Sequence, residues 1–363
     1  MRDASDKTLA VLSSAVRDCW YVADLVYDGQ IVAQNVALTR PRLRWDGSAQ
    51  VSGSGSATVV WSDELGRSRV PEAPGDMFAP FGAELQVDAF VSAGVLVSER
   101  VPMGRFVIDS VPAATAALLT RAVGGLPISL GDRIEVSLRD LFRRTQRDRF
   151  SAPESPKSTS MWDEVQRLTG LAVERNVPDE SVPLSLAYDE DRLNALDDLL
   201  AVADAVPHLT PAGAVTARPK AWPAAVDEFR GVAAAPRVLA ADLVYNRVVV
   251  EGKSPTGVPL RAVAEVREGP LRVVNADGTP SPFGAAPYFY QSDFLTTMTQ
   301  CQTTARAMLA RVSQLQSVTR EVVEPLNPLR EVGDVVLLGS VETRILAVEH
   351  DVSTTKSTVE VAP

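Results

Sequence analysis

Histidine is almost absent from this chain of 363 residues, which has only His208 and His350. No G-x-S-x-G, H-E-x-x-H or phosphate-loop pattern occurs, and His350 sits in a strand-like stretch while His208 follows a proline, which argues against a hydrolase built on a histidine base. Cysteine is equally scarce. Cys19 and Cys301 lie far apart, which excludes a disulfide framework and a clustered zinc site and leaves two buried thiols as the expectation. Lysine supplies five of the 36 basic residues, and arginine the other 31. With abundant Ala and Val, that skew reads as a GC-rich coding sequence rather than a binding surface. No apolar run reaches the roughly 18 residues needed to span a bilayer. The opening "MRDASDKTLAVLSSAV" lacks a basic region followed by an apolar stretch. The expectation is a protein made in the cytoplasm, without a membrane span.

What is present is ordinary globular material, with 45% hydrophobic and 23% charged residues. The net charge of −10 argues against stable binding to nucleic acid or to an anionic membrane surface. The length suits two or three domains.

The pattern along the chain predicts three parts. Residues 1–150 open with a short helix capped by Ser5 and continue as strands. "WYVADLVYDGQIVAQNVAL" reads as two strands joined at Asp28-Gly29, and others follow at "ATVVWSD", "ELQVDAFVSAGVLVSERV", "GRFVIDSV" and "DRIEVSL". Short strands with regular turn signals favour a barrel or sandwich. "SGSGSA", 52–57, reads as a flexible turn and not a phosphate loop, because no Lys-Ser/Thr follows.

"APESPKSTS", 152–160, reads as a linker into an α+β part, 151–234. There Ser160 and Asp163 resemble a capping box, and Leu193, Leu196, Leu199, Leu200 and Ala203 share one helical face. Residues 235–363 return to strands, interrupted by one helix over 297–314 that aligns Met298, Cys301, Ala305, Leu309 and Val312. The fold class is mainly β with an α+β insertion. The two β-rich parts are expected to pack together, with 151–234 projecting.

Several stretches hold candidate chemistry. The cluster Tyr188, Asp189, Glu190, Asp191 and Arg192 stands before a helix, where negative charge suits the dipole, so capping outweighs catalysis. Arg139, Arg143 and Arg147 would form one stripe if "RDLFRRTQRDRF" were helical. A solvated or salt-bridged face is the plain reading, and a contact with an acidic neighbouring subunit is the alternative. With 46 Asp and Glu, spacing alone leaves open a carboxylate pair of the glycosidase kind. "NPLREVGDVVLLG", 327–339, resembles an active-site prelude. Asn327-Pro328 reads as a strand stop, Gly333 as a tight turn, and Asp334 as a side chain bonding a backbone amide. Gly131-Asp132 is expected to start a strand likewise.

A family resemblance rests on several passages taken in order. These are "DMFAPFGAELQVDAFV" with "VPMGRFVIDSV", "IEVSLRDLFRRTQRDRF", "EDRLNALDDLLAVADAVPHLTPAGAVTARP", "LVYNRVVVEG", "SDFLTTMTQCQTTARAMLARV" and "NPLREVGDVVLL". They lie between about 76 and 338, and together they resemble the tail hub proteins of bacteriophages, especially minor tail proteins of siphophages that infect actinobacteria. Against that pattern, "SVPAATAALLTRAVGGLPISL", 110–130, is longer and richer in Ala.

The resemblance implies β-barrel domains related to the tail-tube fold, with an α+β piece between them. It implies a homotrimer at the distal tail tip of the virion, adapting a six-fold tube to a three-fold tip. Its partners would be the distal tail or tail-tube protein, the tape measure protein, and other minor tail or receptor-binding proteins. The role is structural, with no enzymatic activity and no catalytic, cofactor-binding or metal-binding residue. Two alternatives stand beside it, a tail-associated cell-wall hydrolase and a carbohydrate-binding module. For the module the five tryptophans, at 20, 45, 61, 162 and 222, supply no clustered sugar platform.

Overall fold

The computed structural model describes all residues except 15–16, 62–64, 66, 120–127, 185, 190, 239–243, 255–256, 293–294, 314–318 and 362–363. Strand is the dominant element, and two compact units hold the chain. One comprises Met1–Ala235 with Glu321–Val359, and the other is essentially Pro236–Arg320.

The first unit begins with α1, Asp6–Leu12, whose first turn is closed by the Ser5 hydroxyl accepting from the Thr8 amide at 3.3 Å. Seven strands follow: β1 Asp18–Tyr27, β2 Gln30–Asp46, β3 Gly53–Trp61, β4 Glu84–Ala93, β5 Leu96–Val97, β6 Val101–Leu119 and β7 Ile128–Asp140. Asp28 and Gly29 both have positive φ, 49° and 72°, as a two-residue hairpin turn requires. Antiparallel pairing runs β1-β4-β6-β7-β3-β2, and β2 pairs back with β1. Six strands therefore form a closed ring. Period-two alternation turns one face inward: Leu85, Val87, Ala89 and Val91 from β4 and Ile134, Val136 and Leu138 from β7 are buried. All of these but Val91 pack with Tyr21, Leu25, Leu43 and Phe106, so the interior is filled by side chains.

Two expectations fail within this ring. "SGSGSA" is strand, because residues 53–57 belong to β3. A Cβ on Gly55 would lie 2.8 Å from Leu43 Cδ2 and 2.9 Å from the Arg42 carbonyl oxygen, so the small residues there let β2 come close. Gly131-Asp132 lies inside β7 rather than at its start. There the Asp132 carboxylate accepts from Ser129 Oγ at 2.8 Å and Ser68 Oγ at 3.1 Å. Residues 110–119 continue β6, while 120–127 lie outside the described residues.

Next come α2 Phe142–Arg147, α3 Met161–Thr169, α4 Arg192–Val202 and the hairpin of β8 Ala205–Leu209 with β9 Val215–Pro219, followed by β10 Asp227–Glu228. These helices and the hairpin gather a separate apolar cluster, which includes Phe142, Phe150, Met161, Trp162, Val165, Leu196, Leu200 and Val215. The expected face of α4 is buried at Leu193, Leu196, Leu199 and Leu200. Ser160 caps α3 by accepting from the Asp163 amide. The linker-like 152–160 is tied down rather than loose. Glu164, fully buried on α3, accepts from the amides of Lys157 and Ser158 at 2.7 and 2.8 Å, and the Glu154 amide donates to the Tyr188 carbonyl.

The second unit holds β11 Arg237–Val238, β12 Arg247–Lys253, β13 Pro259–Glu265, β14 Pro287–Gln291 and α5 Met298–Val312. Helix α5 matches the predicted helix as far as Val312, and Gln314 lies outside the described residues. Its start is a capping box, in which the Thr297 hydroxyl accepts from the Gln300 amide and Gln300 reaches back. Cys301 and Ala305 pack on Val248, Val250 and Ala262.

The chain closes with β15 Thr319–Pro325, β16 Val335–Leu338, β17 Val341–His350 and β18 Thr354–Val361. In the first unit β17 pairs antiparallel with β2, from Ala347↔Asp46 to His350↔Leu43, and with β16. Residues 321–359 thus belong with the ring, although the sequence places them beyond the second unit. No helix among the described residues is long and apolar enough to cross a membrane.

Candidate functional site

The 327–339 stretch meets the rest of the first unit in a knot of buried charge. Its backbone explains the turn. Gly333, with φ of +89°, donates its amide to the Ile345 carbonyl at 2.7 Å, and the Ile345 amide returns to the Asp334 carbonyl at 2.9 Å. That exchange aligns β16 with β17. The Asp334 carboxylate accepts from the Glu331 amide at 2.8 Å and from the Met1 amino group, and burial still holds its pKa above the usual carboxylate range. Gly333 and Asp334 therefore shape the chain, as the sequence suggested.

Around them sit arginines whose partners lie far off in sequence. Arg330, 1% exposed, is clasped by Glu324 and by Asp227, each at 2.8 Å, and its guanidinium lies over Phe229. Arg2 donates to the Pro328 and Arg330 carbonyls at 2.7 and 2.8 Å and covers the Trp45 ring. His350 is fully buried. Its Nε2 faces the Arg330 carbonyl at 3.3 Å and its Nδ1 faces Thr355 Oγ1 at 3.0 Å, so Nε2 carries the proton. Burial pushes its pKa down to about 3, and it stays neutral.

Beside the knot lies a cavity of about 390 Å3. On one side β8 and β9 present His208 and Arg218, with Arg218 Nη2 2.6 Å from His208 Nδ1. Burial lowers both, His208 well below its ordinary value and Arg218 to about 10. Four carboxylates line the cavity as well, Asp140, Asp197, Asp198 and Glu331. Asp140 is pushed up to about 6 by burial, while Phe142 N at 3.0 Å and Ser52 Oγ at 3.2 Å donate to it. Asp197 accepts from Gln50 at 2.8 Å, and burial raises Asp197 and Asp198 too.

Chemically, this arrangement holds chain segments together. Asp140 anchors the entry to β3 and α2, and neither histidine is placed as a free base. Among the described residues no group of three or more His, Cys, Asp or Glu is placed to hold a metal ion. Cys301 is buried, whereas Cys19 is only partly so, and burial pushes its thiol up to about 12.

The other sequence candidates disperse. Asp191 caps α4, accepting from Leu193 N at 2.8 Å, and Arg192 reaches Asp148 and covers Phe150. Tyr188 is buried, Asp189 is exposed, and Glu190 lies outside the described residues. The arginine stripe does not form. Arg139 sits on the exposed face of β7, and only Arg143 and Arg147 fall in α2, where Arg143 pairs with Asp109 at 2.8 Å. The residues that sequence reasoning missed are Arg2, Arg218 and Arg330. No local pattern marks them, and their partners lie far off in the sequence, as the 103 positions between Arg330 and Asp227 show.

No protein-family model matches the chain, and no curated protein matches it in sequence. Solved structures do. A tail protein from Neisseria meningitidis MC58 superposes with a TM-score of 0.57 at 12% identity, over 94% of this chain and 97% of that one. The 43 kDa tail protein of prophage MuSo2 from Shewanella oneidensis gives 0.54 at 12% identity, over 94% and 98%. The chain thus shares the fold of these two tail proteins along almost its whole length.

Proposed function

We propose that this protein is a structural hub at the distal end of a phage tail, linking the tail tube to tip and receptor-binding proteins. The observation that carries the reading is the fold likeness to two tail proteins, one of them from a prophage, end to end on both sides. The closed six-strand ring supports a finer point, that this part is a tail-tube-like β-barrel. The assembly is a homotrimer, with the distal tail or tube protein above, fibre or receptor-binding proteins outside, and the tape measure ending near the lumen. A net charge of −10 per chain suits a channel that must not retain passing DNA. The separate apolar cluster of 142–217 supports a middle module, 151–234, between β-rich parts 1–150 and 235–363. The role is non-enzymatic, since each buried carboxylate of the knot has a structural partner.

Electron microscopy of purified tails, labelled with an antibody to this chain, tests the reading. Label at the distal tip with three copies is expected. Label along the tube, or one or six copies per tip, would sink it. Digestion of host cell wall by the purified chain would favour the hydrolase alternative instead.

A further inference from the structure

The second unit carries a sheet face with exposed apolar residues. In its three-stranded sheet, Val248 and Val250 turn toward α5, so residues 247, 249 and 251 and their cross-strand partners face away from it. Three rows result. Glu265, Arg247 and Pro287 form the first, Val263, Val249 and Phe289 the second, and Arg261, Glu251 and Gln291 the third. The middle row is apolar and its two ends are open, with Val263 53% and Phe289 63% exposed, while Val249 between them is buried at 4%. Ion pairs rim it on both sides, Arg247 to Glu265 at 2.7 Å and Arg261 to Glu251 at 3.5 Å.

The signs on that rim reverse across the middle row. Strand β12 reads Arg, Val, Glu while β13 reads Glu, Val, Arg. We propose that this face is a two-fold contact for a second copy of the chain. A two-fold axis along the middle row sets Arg247 over Glu251 of the second copy and Glu265 over its Arg261, with the exposed Val263 on Val263 and Phe289 on Phe289. An axis along the strands would instead stack Arg247 on Arg247. The charge pattern therefore selects both the partner and its orientation.

Its size sets the strength. Three strands by five residues cover roughly 250 Å2 per copy from strand spacing and rise, well under the roughly 800 Å2 per partner of a standard interface. Pairing is weak and salt-sensitive. It does not rest on the hub reading, because a three-fold ring joins unlike surfaces whereas this face mates with itself.

Sedimentation equilibrium of the full chain at low salt, up to on the order of 1 mM, tests the pairing. A monomer–dimer equilibrium is expected. Arg247→Glu or Glu251→Arg alone should weaken it by about tenfold or more through like-charge contacts. Mixing the two single variants should restore association, since Glu at 247 of one chain then meets Arg at 251 of the other. Phe289→Ser, at an open position, should weaken dimers without disturbing the α5 side, and it keeps the test available if a charge reversal unfolds the sheet. A chain monomeric throughout, dimers indifferent to the reversals and to Phe289→Ser, or a mixture no tighter than its components would overturn the proposal.

Discussion

Replacing Gly333 by alanine isolates what the 327–339 turn needs. At φ of +89° a non-glycine residue costs on the order of 1 kcal/mol. The added Cβ would also sit 2.4 Å from Arg218 Cδ and 2.7 Å from its Nε, so Arg218 must move. Arg218 is held by His208 at 2.6 Å, and losing a hydrogen bond to a charged group costs about 1.5–3 kcal/mol. The expected destabilisation is therefore about 2.5–4 kcal/mol. Valine, with its branched Cβ, belongs at or above the upper end of that range. Gly170→Ala is the control. Its φ is +67°, but nothing lies within 4 Å of the added carbon, so only the backbone cost of about 1 kcal/mol applies. Urea unfolding followed by tryptophan fluorescence reads both variants, because all five tryptophans lie in the first unit. In the double variant with Arg218→Ala, the cost should fall short of the sum by about 1 kcal/mol or more. Equal losses for Gly333→Ala and Gly170→Ala, within about 0.5 kcal/mol, would refute the close approach of Arg218.

Three further outcomes are expected. Asp334→Asn should cost under about 1 kcal/mol, since the amide keeps an acceptor for the Glu331 amide; urea unfolding checks it, and a loss of several kcal/mol would contradict that account. Arg330→Met should cost about 3–5 kcal/mol by leaving Glu324 buried without its partner, and adding Glu324→Leu should recover most of it; melting both variants decides. The Asp140 carboxyl, raised by burial to about 6, lies above its unfolded value of about 3.9. Its contribution is thus complete below about pH 4 and lost as pH rises through 6. The stability gap between wild type and Asp140→Asn should change across that window, and a gap constant from pH 4 to 7 would contradict the burial argument.

The sequence by itself determined whatever a few neighbouring residues can settle. Ser5, Ser160, Asp191 and Thr297 end up as caps because a side-chain oxygen reaches an amide two or three residues on, whatever the rest of the chain does. Asp28-Gly29 and Gly333 were legible for the same reason, since positive φ is a local demand. Period-two alternation marked the strands. It could not say that β2 would pair with β17, with partners as far apart as Leu43 and His350, or that β1 would close the ring on β4, because pairing depends on which edges meet in three dimensions. "SGSGSA" misled for that reason: turn-like composition became strand once a neighbouring strand needed room. The arginine stripe failed because β7 runs through Arg139 before α2 begins. The knot was decided by tertiary structure alone. Arg330 meets Asp227 across 103 positions because β10 pairs with β16, and Arg218 of β9 comes under Gly333 only in the folded chain; buried charge is tolerable there since folding delivers each its partner or a hydrogen bond.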